Sequence, residues 1–574
     1  MNKFLVLVFL TLGITGTVEA QSLNRKQMEH INAQAISKAY ATSVRMWGYD
    51  TVKKQQNSAQ FSGVVVSAEG HILTVAHAVV PGNTYKVFFP NGQERIAIAM
   101  GRMGFKEKQN LPDVAMMKIT GTGVWPFAEM GWSASLKVNE PCLSISYPET
   151  LNQPKPTVRF GRISVPMTEW GFVQSTCKME PGDSGGPLFD YMGRVVALHS
   201  RIDKSEYVNF EVPVDLYRKY WTALNKAVDY EAMPAEEDTF TADPLASKIM
   251  TVPALETIGK QFLKLEPKFN GTSVTILSNA GTPEKRAVGT VFSLDGFIAQ
   301  PELKKVTYIV SKSSIVGQNP MVQMAPGKQL KATVIGRDQK YDLVLLKLEE
   351  RIKSGITTRM LRDTTPIKFE SLGRFLLSAL PRQQSRVSVV GSEFFSLPKK
   401  FSNGYFGANA TFINNQIILT AINPKSPASE KLELQDQITG VNGVPISQPP
   451  HYGAELMKYS PGDTITIQGV RKGAAYNLPI LLTSFPVRGN HPADNIEGGK
   501  SIRRDGFEKV FSHDAAISAD ECGGPVFDVN GKFYGINIAR FSRTSILATP
   551  TVVIHNFIRE QLLKPGAQNA KIKI

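Results

Sequence analysis

Short apolar runs separated by turn residues make up most of the chain after about residue 43. In the first third of the chain these runs are five or six residues long and lie at 63–67, 71–75, 85–89, 114–119, 142–146 and 194–199. Short strands at regular spacing predict an all-β barrel or sandwich. Residues 23–42 are polar and Ala-rich without Gly or Pro, which predicts a surface helix, and residues 214–228 predict a second helix. The pattern therefore indicates an all-β-dominated protein with a short N-terminal helix.

The first 20 residues have the pattern of a secretory signal peptide. Lys3 precedes an apolar stretch over residues 4–12, and Val18-Glu19-Ala20 places small residues three and one positions before a cleavage site. The alternative, an N-terminal anchor helix, is disfavoured because polar residues interrupt the stretch well before the roughly 20 apolar residues that a membrane span needs. We expect cleavage after Ala20, a periplasmic or secreted mature chain and no membrane span.

One pattern occurs twice along the chain, in the same order. Residues 63–73 align without gaps with 289–299, residues 113–119 with 342–348, and residues 183–190 with 521–528. Three collinear matches indicate that the chain carries the same domain twice. The last two matches lie much further apart in the second copy, from Asp342 to Cys522, than in the first, from Asp113 to Ser184. The second copy therefore contains an insertion.

Three residues of the first copy have the types and the order that nucleophilic catalysis needs. His77 ends a Thr-Val-Ala-His sequence, Asp113 precedes a predicted strand, and Ser184 lies in Gly-Asp-Ser-Gly-Gly-Pro. A serine hydroxyl is a weak nucleophile at neutral pH, so it needs an imidazole that takes its proton and a carboxylate that fixes the imidazole tautomer. The glycines around Ser184 permit a tight turn in which the amides of Gly182 and Ser184 converge on a developing oxyanion.

These motifs resemble the trypsin-like serine protease superfamily, and more narrowly its HtrA/Deg branch, over residues 43–225. The resemblance implies two six-stranded barrels, with His77 and Asp113 on the first, Ser184 on the second and an active site in the cleft between them. Members that are activated by proteolysis bury a new N-terminus against the residue equivalent to Asp183. No Ile-Val-Gly-Gly-like start precedes the first barrel here, so we expect Asp183 to have another partner.

Two basic residues that follow the nucleophile bear on substrate specificity. His199 lies on the strand expected to line the primary specificity pocket, and Arg201 adds positive charge nearby. His199 resembles the histidine by which glutamyl endopeptidases receive an acidic side chain. The alternative is a strand histidine that serves packing or lies at the surface, so a preference for acidic residues is one of two interpretations.

The second copy lacks the chemistry of the first. The gapless alignment places Leu303 where the first copy has its histidine and Cys522 where it has its serine, and only Asp342 is retained. A leucine cannot accept a proton, and Asp520 replaces the glycine of the oxyanion site. His513 lies close to Cys522 in sequence, but nothing in the pattern makes it a replacement base. We expect a degenerate, non-catalytic barrel domain that is kept for structure or binding.

The inserted residues resemble a PDZ domain over 401–485. The resemblance implies that a Gly-Tyr-Phe-Gly-like loop offers backbone amides to the C-terminal carboxylate of a peptide, which adds as a strand to a sheet edge. The expected loop residues are Tyr405, Phe406, Gly407 and Ala408. The alternatives are a generic Gly-rich turn and a degenerate PDZ domain that only braces its neighbour.

Composition narrows the function classes. The 574 residues contain 65 Lys and Arg against 50 Asp and Glu, which gives a net charge of +15. The basic residues are scattered and form no long run. This pattern favours ordinary surface charge over a nucleic-acid-binding site. No HExxH sequence or Cys/His cluster appears, so we expect no metal and no cofactor. Cys142 and Cys177 could form a disulfide or remain buried thiols, and three cysteines cannot form a disulfide framework.

The predicted fold is two trypsin-like double β-barrel domains, the second degenerate, plus a PDZ domain. The predicted parts are a signal peptide at 1–20, an N-terminal helix at 21–42, an active protease domain at 43–228, an acidic linker at 229–250, a degenerate domain at 251–400 and 486–562, a PDZ domain at 401–485 and a C-terminal tail at 563–574. We expect a serine endopeptidase that cleaves protein or peptide substrates in protein quality control, with the second half recruiting substrates or regulating the first. The alternative is a non-proteolytic peptide-binding or chaperone-like scaffold. By analogy with HtrA relatives, a homo-oligomer is one of the possible assembly states.

Overall fold

The computed structural model describes residues 25–104, 112–248, 260–278, 285–299, 303, 305–325, 327–352, 354–486 and 492–564. The predicted signal peptide at 1–20 and nearly all of the predicted tail lie outside the described residues. The helices of the described residues include α1 (Arg25–Ala39), α2 (Val214–Lys219), α3 (Trp221–Leu224), α4 (Glu266–Phe269), α5 (Thr358–Arg362), α6 (Pro449–Leu456) and α7 (Thr551–Leu563). Helix α1 confirms the predicted N-terminal helix. No helix in the described part of the chain combines the length and apolarity of a transmembrane segment.

The first half of the chain forms two β-barrels. The strands of the first barrel are β1 (Ser43–Asp50), β2 (Gln55–Gln56), β3 (Phe61–Val65), β4 (His71–Thr74), β5 (Thr84–Phe88), β6 (Glu94–Met103) and β7 (Val114–Ile119). They follow the order β6-β5-β1-β3-β4-β7, and a further pairing of β6 with β7 closes the ring. Strand β1 alternates buried and half-buried positions because one face lines the barrel core.

The second barrel is closed in the order β10-β13-β12-β11-β8-β9. Its strands are β8 (Pro141–Ser146), β9 (Thr157–Val165), β10 (Val173–Ser175), β11 (Pro187–Asp190), β12 (Val195–Ile202) and β13 (Asn209–Pro213). Every residue of β8 is buried, which agrees with its apolar run. The two barrels confirm the all-β prediction for the first half.

The residues after the second barrel pack against the first half. The strand β14 (Asp229–Tyr230) pairs in parallel with β6, and the Asp238 carboxylate accepts hydrogen bonds from the backbone and hydroxyl of Thr222. Asp243 pairs with the buried Arg194 at 3.0 Å. The described part of the predicted acidic linker is therefore bound to the protease-like half rather than free.

The second half repeats the strand order of the first. Its first sheet contains β15 (Ser273–Ser278), β16 (Lys285–Ser293), β17 (Thr307–Lys312), β18 (Met321–Ala325), β19 (Lys328–Lys331), β20 (Thr333–Asp338), β21 (Leu343–Leu348) and β22 (Ile356–Thr357). The order β18-β15-β16-β17-β21-β20 matches that of the first barrel. Only Ala332 separates β19 from β20, and this segment pairs with β18 at one end and with β21 at the other, so it closes the sheet as β6 closes the first barrel.

A PDZ-like sheet interrupts the last sheet of the second half. The strands β23 (Phe375–Ser378), β24 (Arg386–Val389) and β25 (Phe395–Leu397) precede it. The inserted strands are β26 (Ala408–Ile413), β27 (Gln416–Ile422), β28 (Gln437–Val441), β29 (Val444–Pro445), β30 (Thr464–Arg471) and β31 (Ala474–Leu481). The strands β32 (Phe507–His513), β33 (Pro525–Asp528), β34 (Phe533–Arg540) and β35 (Ile546–Pro550) then complete the order β24-β23-β33-β34-β35-β32-β25. Asp505 accepts hydrogen bonds from the N–H groups of Lys400 and Ser402, which holds the two ends of the insertion together.

The two halves share one hydrophobic core. Val158 and Leu198 of the second barrel belong to the same buried cluster as Leu376, Phe511 and Val526 of the second half. The N–H of Val158 also donates to a second-half carbonyl at 2.9 Å. Burial of a continuous apolar surface makes the halves one folded body rather than two independent domains on a tether.

Candidate active site

His77, Asp113 and Ser184 come together where the two barrels of the first half meet. His77 lies in a short 3-10 turn after β4, and Asp113 directly precedes β7, the strand that pairs with β4. Ser184 lies in the loop between β10 and β11 of the second barrel. His77 Nδ1 lies 2.7 Å from Asp113 Oδ2, and His77 Nε2 lies 3.1 Å from Ser184 Oγ. One imidazole therefore contacts the carboxylate and the hydroxyl through opposite nitrogens.

The Asp113 carboxylate is buried and fully hydrogen-bonded. Its Oδ1 accepts from the backbone N–H of His77 at 3.0 Å, and its Oδ2 accepts from the Ser200 hydroxyl at 2.7 Å. Burial disfavours the charged form, but the bonds from His77 and Ser200 outweigh it, so the pKa of Asp113 lies below its usual value. Asp113 is therefore an anion at neutral pH that can orient the imidazole and stabilise its protonated form.

The loop before Ser184 presents two backbone amides. Gly182 has a φ of +95°, and a Cβ at this position would approach the backbone N of Glu149 to 2.4 Å, so only glycine fits. Ser62 on β3 donates to the carbonyls of both residues. Its hydroxyl donates to Gly182 O at 2.7 Å, and its N–H donates to Ser184 O at 2.9 Å. Within the described part of the chain, the N–H groups of Gly182 and Ser184 donate no hydrogen bond. They are free to bind an oxyanion.

Asp183 has an internal partner. Its two carboxylate oxygens accept hydrogen bonds from the two Nη atoms of the buried Arg159, each at 2.7 Å. Ser146 donates a further bond to Asp183 at 2.8 Å, and Arg159 also donates to the carbonyl of Lys178 at 2.6 Å. A buried bidentate pair fixes geometry as well as charge. The loop that carries Ser184 is therefore held without a newly formed N-terminus.

His199 is fully buried inside the second barrel. Its Nε2 lies 2.6 Å from Ser144 Oγ, and its Nδ1 faces the Glu211 carboxylate at 3.5 Å. Burial raises the pKa of Glu211 to about 7. Arg201 lies over the ring of Phe172, with 5.1 Å between its guanidinium carbon and the ring centroid. A histidine that already faces a carboxylate is a poor receptor for an acidic side chain, so this geometry favours the packing interpretation of His199.

Strand register places Ser314, and not Leu303, beside Asp342 in the second half. β17 pairs with β21 as β4 pairs with β7. Ser314 donates to the Asp342 carboxylate through its N–H at 2.7 Å and its hydroxyl at 2.8 Å, and these are the two contacts that His77 makes with Asp113. The alignment of Leu303 with the histidine is therefore wrong. Leu303 lies buried in the connection between β16 and β17, which is longer than that between β3 and β4.

The other residues of this second-half site make structural contacts. Asp342 pairs with the buried ammonium group of Lys312 at 2.7 Å. Cys522 is fully buried, and burial raises the pKa of its thiol, so the thiol stays protonated. His513 Nε2 lies 2.7 Å from Asn537 Oδ1, so the imidazole is engaged away from the cysteine. No general base contacts Cys522 among the described residues.

The loop of Tyr405, Phe406, Gly407 and Ala408 leads into β26, an edge strand of the PDZ sheet. In the described part of the chain, the N–H groups of Phe406 and Gly407 donate no hydrogen bond. Tyr452 on α6 packs against Phe406, with 6.2 Å between ring centroids, and its hydroxyl lies 3.3 Å from the carbonyl of Ala408. The loop offers free amides, while the Tyr452 side chain fills the space between α6 and the edge strand.

Sequence reasoning did not find Ser200, Arg159 or Ser62. Each acts through hydrogen bonds between residues that are far apart in sequence, and a strand serine or arginine has no distinctive local pattern. Only the expectation that Asp183 needs a partner indicated that a residue such as Arg159 exists. Among the described residues, no group of three or more His, Cys, Asp or Glu side chains is arranged to hold a metal ion. The sulfurs of Cys142 and Cys177 lie 3.8 Å apart and are not bonded.

Two parts of the chain match known protein families. Residues 61–198 match the trypsin-like peptidase domain, and residues 404–482 match the PDZ domain. The chain is 33% identical over 147 residues to a probable periplasmic serine endoprotease DegP-like of Ectopseudomonas mendocina, which covers 25% of this chain and 29% of that protein. It is 30% identical over 164 residues to the putative serine protease HhoB of Synechocystis sp., covering 27% of this chain and 37% of that protein.

A vertebrate relative matches in the same way. Identity to the serine protease HTRA1A of Danio rerio is 28% over 178 residues, covering 29% of this chain and 35% of that protein. The chain thus spans about a third of the length of these curated relatives. The chain carries a trypsin-like peptidase domain and a PDZ domain, and over part of its length it is similar to the DegP-like and HtrA serine proteases.

Proposed function

We propose that this protein is an extracytoplasmic serine endopeptidase that hydrolyses peptide bonds in protein substrates. The observation that carries the proposal is the hydrogen-bonded line from Asp113 through His77 to Ser184, beside two amides that are free to bind an oxyanion. The match of residues 61–198 to the trypsin-like peptidase domain supports it.

The geometry supports acyl transfer through a covalent intermediate. Ser184 Oγ attacks the scissile carbonyl while His77 Nε2 takes the hydroxyl proton, and the N–H groups of Gly182 and Ser184 bind the oxyanion. His77 then returns the proton to the leaving amine. Water, activated by the same imidazole, attacks the acyl-enzyme and frees Ser184. Asp113 stays ionised throughout and stabilises the imidazolium.

The proposed compartment is the periplasm or the extracellular space. The pattern of residues 1–20 and the word periplasmic in the name of the DegP-like relative support this placement. We propose protein quality control as the role, with the second half and the PDZ domain recruiting substrate or regulating the first half. The buried ion pair of Asp342 with Lys312 and the buried, protonated thiol of Cys522 support a non-catalytic second half.

The test is covalent labelling of the full chain with a fluorophosphonate, together with cleavage of a reduced, alkylated protein. We expect the wild type to label and to cleave, and Ser184→Ala to do neither. Cys522→Ala is the matched control, because it alters the corresponding residue of the second half, and it should retain both activities. A folded wild type that neither labels nor cleaves would contradict the proposal, and so would loss of activity in a folded Cys522→Ala.

A further inference from the structure

A buried charge cluster joins the second half to the loop that carries Ser184. Glu206 lies in the connection between β12 and β13, and both of its carboxylate oxygens accept hydrogen bonds from Nη2 of Arg540 at 2.7 Å. The same carboxylate pairs with Nζ of Lys178 at 2.9 Å. Arg540 ends β34, so one carboxylate of the first half bridges a cation of each half.

All three side chains of the cluster are buried. The exposed fractions are 7% for Lys178, 3% for Glu206 and 2% for Arg540. Charges removed from water in this way interact strongly, and removal of one partner leaves an uncompensated charge. Without Arg540, Glu206 would keep its pair with Lys178 but lose both bonds that hold its carboxylate from the second half, so the position of the Glu206–Lys178 pair depends on Arg540.

A second contact reaches the same loop. The hydroxyl of Thr544, in the connection between β34 and β35, lies 3.1 Å from Glu180 Oε2. The N–H of Glu180 in turn donates to Asp183 Oδ2 at 2.9 Å. Glu180 is buried, so this bond is shielded from water. The second half thus contacts one side chain of the segment 178–184 directly, Glu180, and reaches a second, Lys178, through Glu206.

These contacts lead to the reacting atoms in few steps. The carbonyl of Lys178 accepts from Arg159, and Arg159 binds the carboxylate of Asp183, which directly precedes Ser184. Gly182, whose amide faces the proposed oxyanion site, lies between the two held side chains and Ser184. A shift of Lys178 or Glu180 is therefore transmitted to both oxyanion donors.

We propose that Arg540 is a positioning residue for the reaction at Ser184. Through Glu206 and Lys178 it fixes the loop that presents the oxyanion amides, so the second half is a built-in support of the active conformation. The inference rests on the proposed function. In this proposal the second half contributes to catalysis by positioning the loop of Ser184, without a reactive group of its own.

The test compares Arg540→Met with the wild type in the full chain, using an internally quenched peptide and active-site titration. We expect kcat per titrated site to fall at least about 10-fold, since loss of one oxyanion donor costs about 100-fold or more, while KM changes little. The affinity for a peptide aldehyde, which forms a tetrahedral adduct, should fall in parallel with kcat, and that for the product peptide should not. Arg540→Lys should recover part of the loss.

The double variant Glu206→Gln/Arg540→Met tests the charge argument, because it also removes the Arg540 cation that Glu206→Gln alone would leave without its carboxylate partner. It should be less impaired than the sum of the two single variants predicts. Arg471→Met is the matched control, since Arg471 pairs with Asp436 inside the PDZ domain and should leave kcat unchanged.

With an active wild type, two outcomes overturn the inference. If kcat per titrated site is unchanged in Arg540→Met, the cluster only stabilises the fold. If the affinities for the aldehyde and for the product peptide fall equally, Arg540 does not act through the oxyanion site. If Arg540→Met does not fold, Arg540→Lys and the double variant decide by the same readouts. A folded but inactive wild type overturns the proposed function and this inference with it, whereas active Arg540 variants overturn only the inference.

Discussion

At the scale of single residues, Ser200 supports the proposed triad through Asp113. Its hydroxyl donates to Asp113 Oδ2, the oxygen that also faces His77. A buried hydrogen bond to a charged group contributes about 1.5–3 kcal/mol. Part of this stabilises the anion that faces the imidazole, so we expect the residue to affect the proposed reaction and not only the fold.

We expect Ser200→Ala to lower kcat by about 10-fold, because Asp113 loses one of the bonds that keep it ionised and oriented. Steady-state kinetics on a peptide substrate measures the effect, and KM should change little. Ser164→Ala is the control, since Ser164 makes its hydrogen bonds to Gln174, away from the triad. Equal kcat values for Ser200→Ala and the wild type would contradict the argument.

Glu211 makes stability depend on pH. Burial raises its pKa to about 7, above the ordinary value of 4.5, so between these values the folded chain holds a proton that the unfolded chain releases. Stability therefore falls as pH rises from about 4.5 to 7, by about 3 kcal/mol in all. Glu211→Gln should remove this loss, so its melting temperature relative to wild type should rise across that range. A constant difference in melting temperature would show that Glu211 is not protonated when folded.

The residues predicted from sequence were those with distinctive local motifs. His77, Asp113 and Ser184 stand beside turns and glycines that a sequence motif records, and the structure places them within hydrogen-bonding distance. Leu303 was aligned wrongly because a gapless match cannot represent the longer connection between β16 and β17. The partners of His199 lie on other strands, so no local pattern indicated Glu211 or Ser144.

At the scale of elements, the repeat could be recognised in the sequence because the matched strands have an apolar run in both copies. The strand order of both sheets recurs in the second half, and the first of these sheets closes through β19 and β20 as the first barrel closes through β6. Closure depends on which strands pair at the two ends of this segment, and apolar runs record only that a strand is buried. The sequence therefore predicts which strands exist better than how the sheet edges meet.

The PDZ loop leads to a prediction about α6. Tyr452 contacts Phe406 and the carbonyl of Ala408 at the sheet edge where a peptide strand would add. We expect the wild type to bind C-terminal peptides weakly and Tyr452→Ala to bind them at least about 10-fold more tightly, since an acceptor and a pocket become free. Fluorescence anisotropy with a peptide library measures binding.

Truncating this buried ring should also cost about 3–5 kcal/mol of PDZ stability, so binding is measured well below the melting temperature. Tyr476→Ala, which shortens an aromatic side chain elsewhere in the same domain, is the control and should not gain affinity. Tight binding by the wild type would contradict the view that Tyr452 fills the groove.

At the scale of the whole molecule, the halves dock through contacts that no motif records. The apolar residues that join them read in sequence as ordinary strand interiors, and the Glu206–Arg540 pair spans 334 positions. Because the buried cluster is continuous across the halves, unfolding of one should expose the core of the other. The PDZ domain has its own buried cluster, and hydrogen bonds to Asp505 hold its first end against the second half.

We therefore expect calorimetry to resolve two transitions, one for both barrel halves together and one for the PDZ domain. Phe511→Ala, in the shared core of the second half, should lose about 3–5 kcal/mol and lower the transition at which Ser184 loses reactivity toward a fluorophosphonate. Ile467→Ala, a matched truncation in the PDZ core, should lower only the other transition. If Ser184 in Phe511→Ala instead loses its reactivity at the same temperature as in the wild type, the first half folds on its own. The second half could then not act as the support of its active conformation.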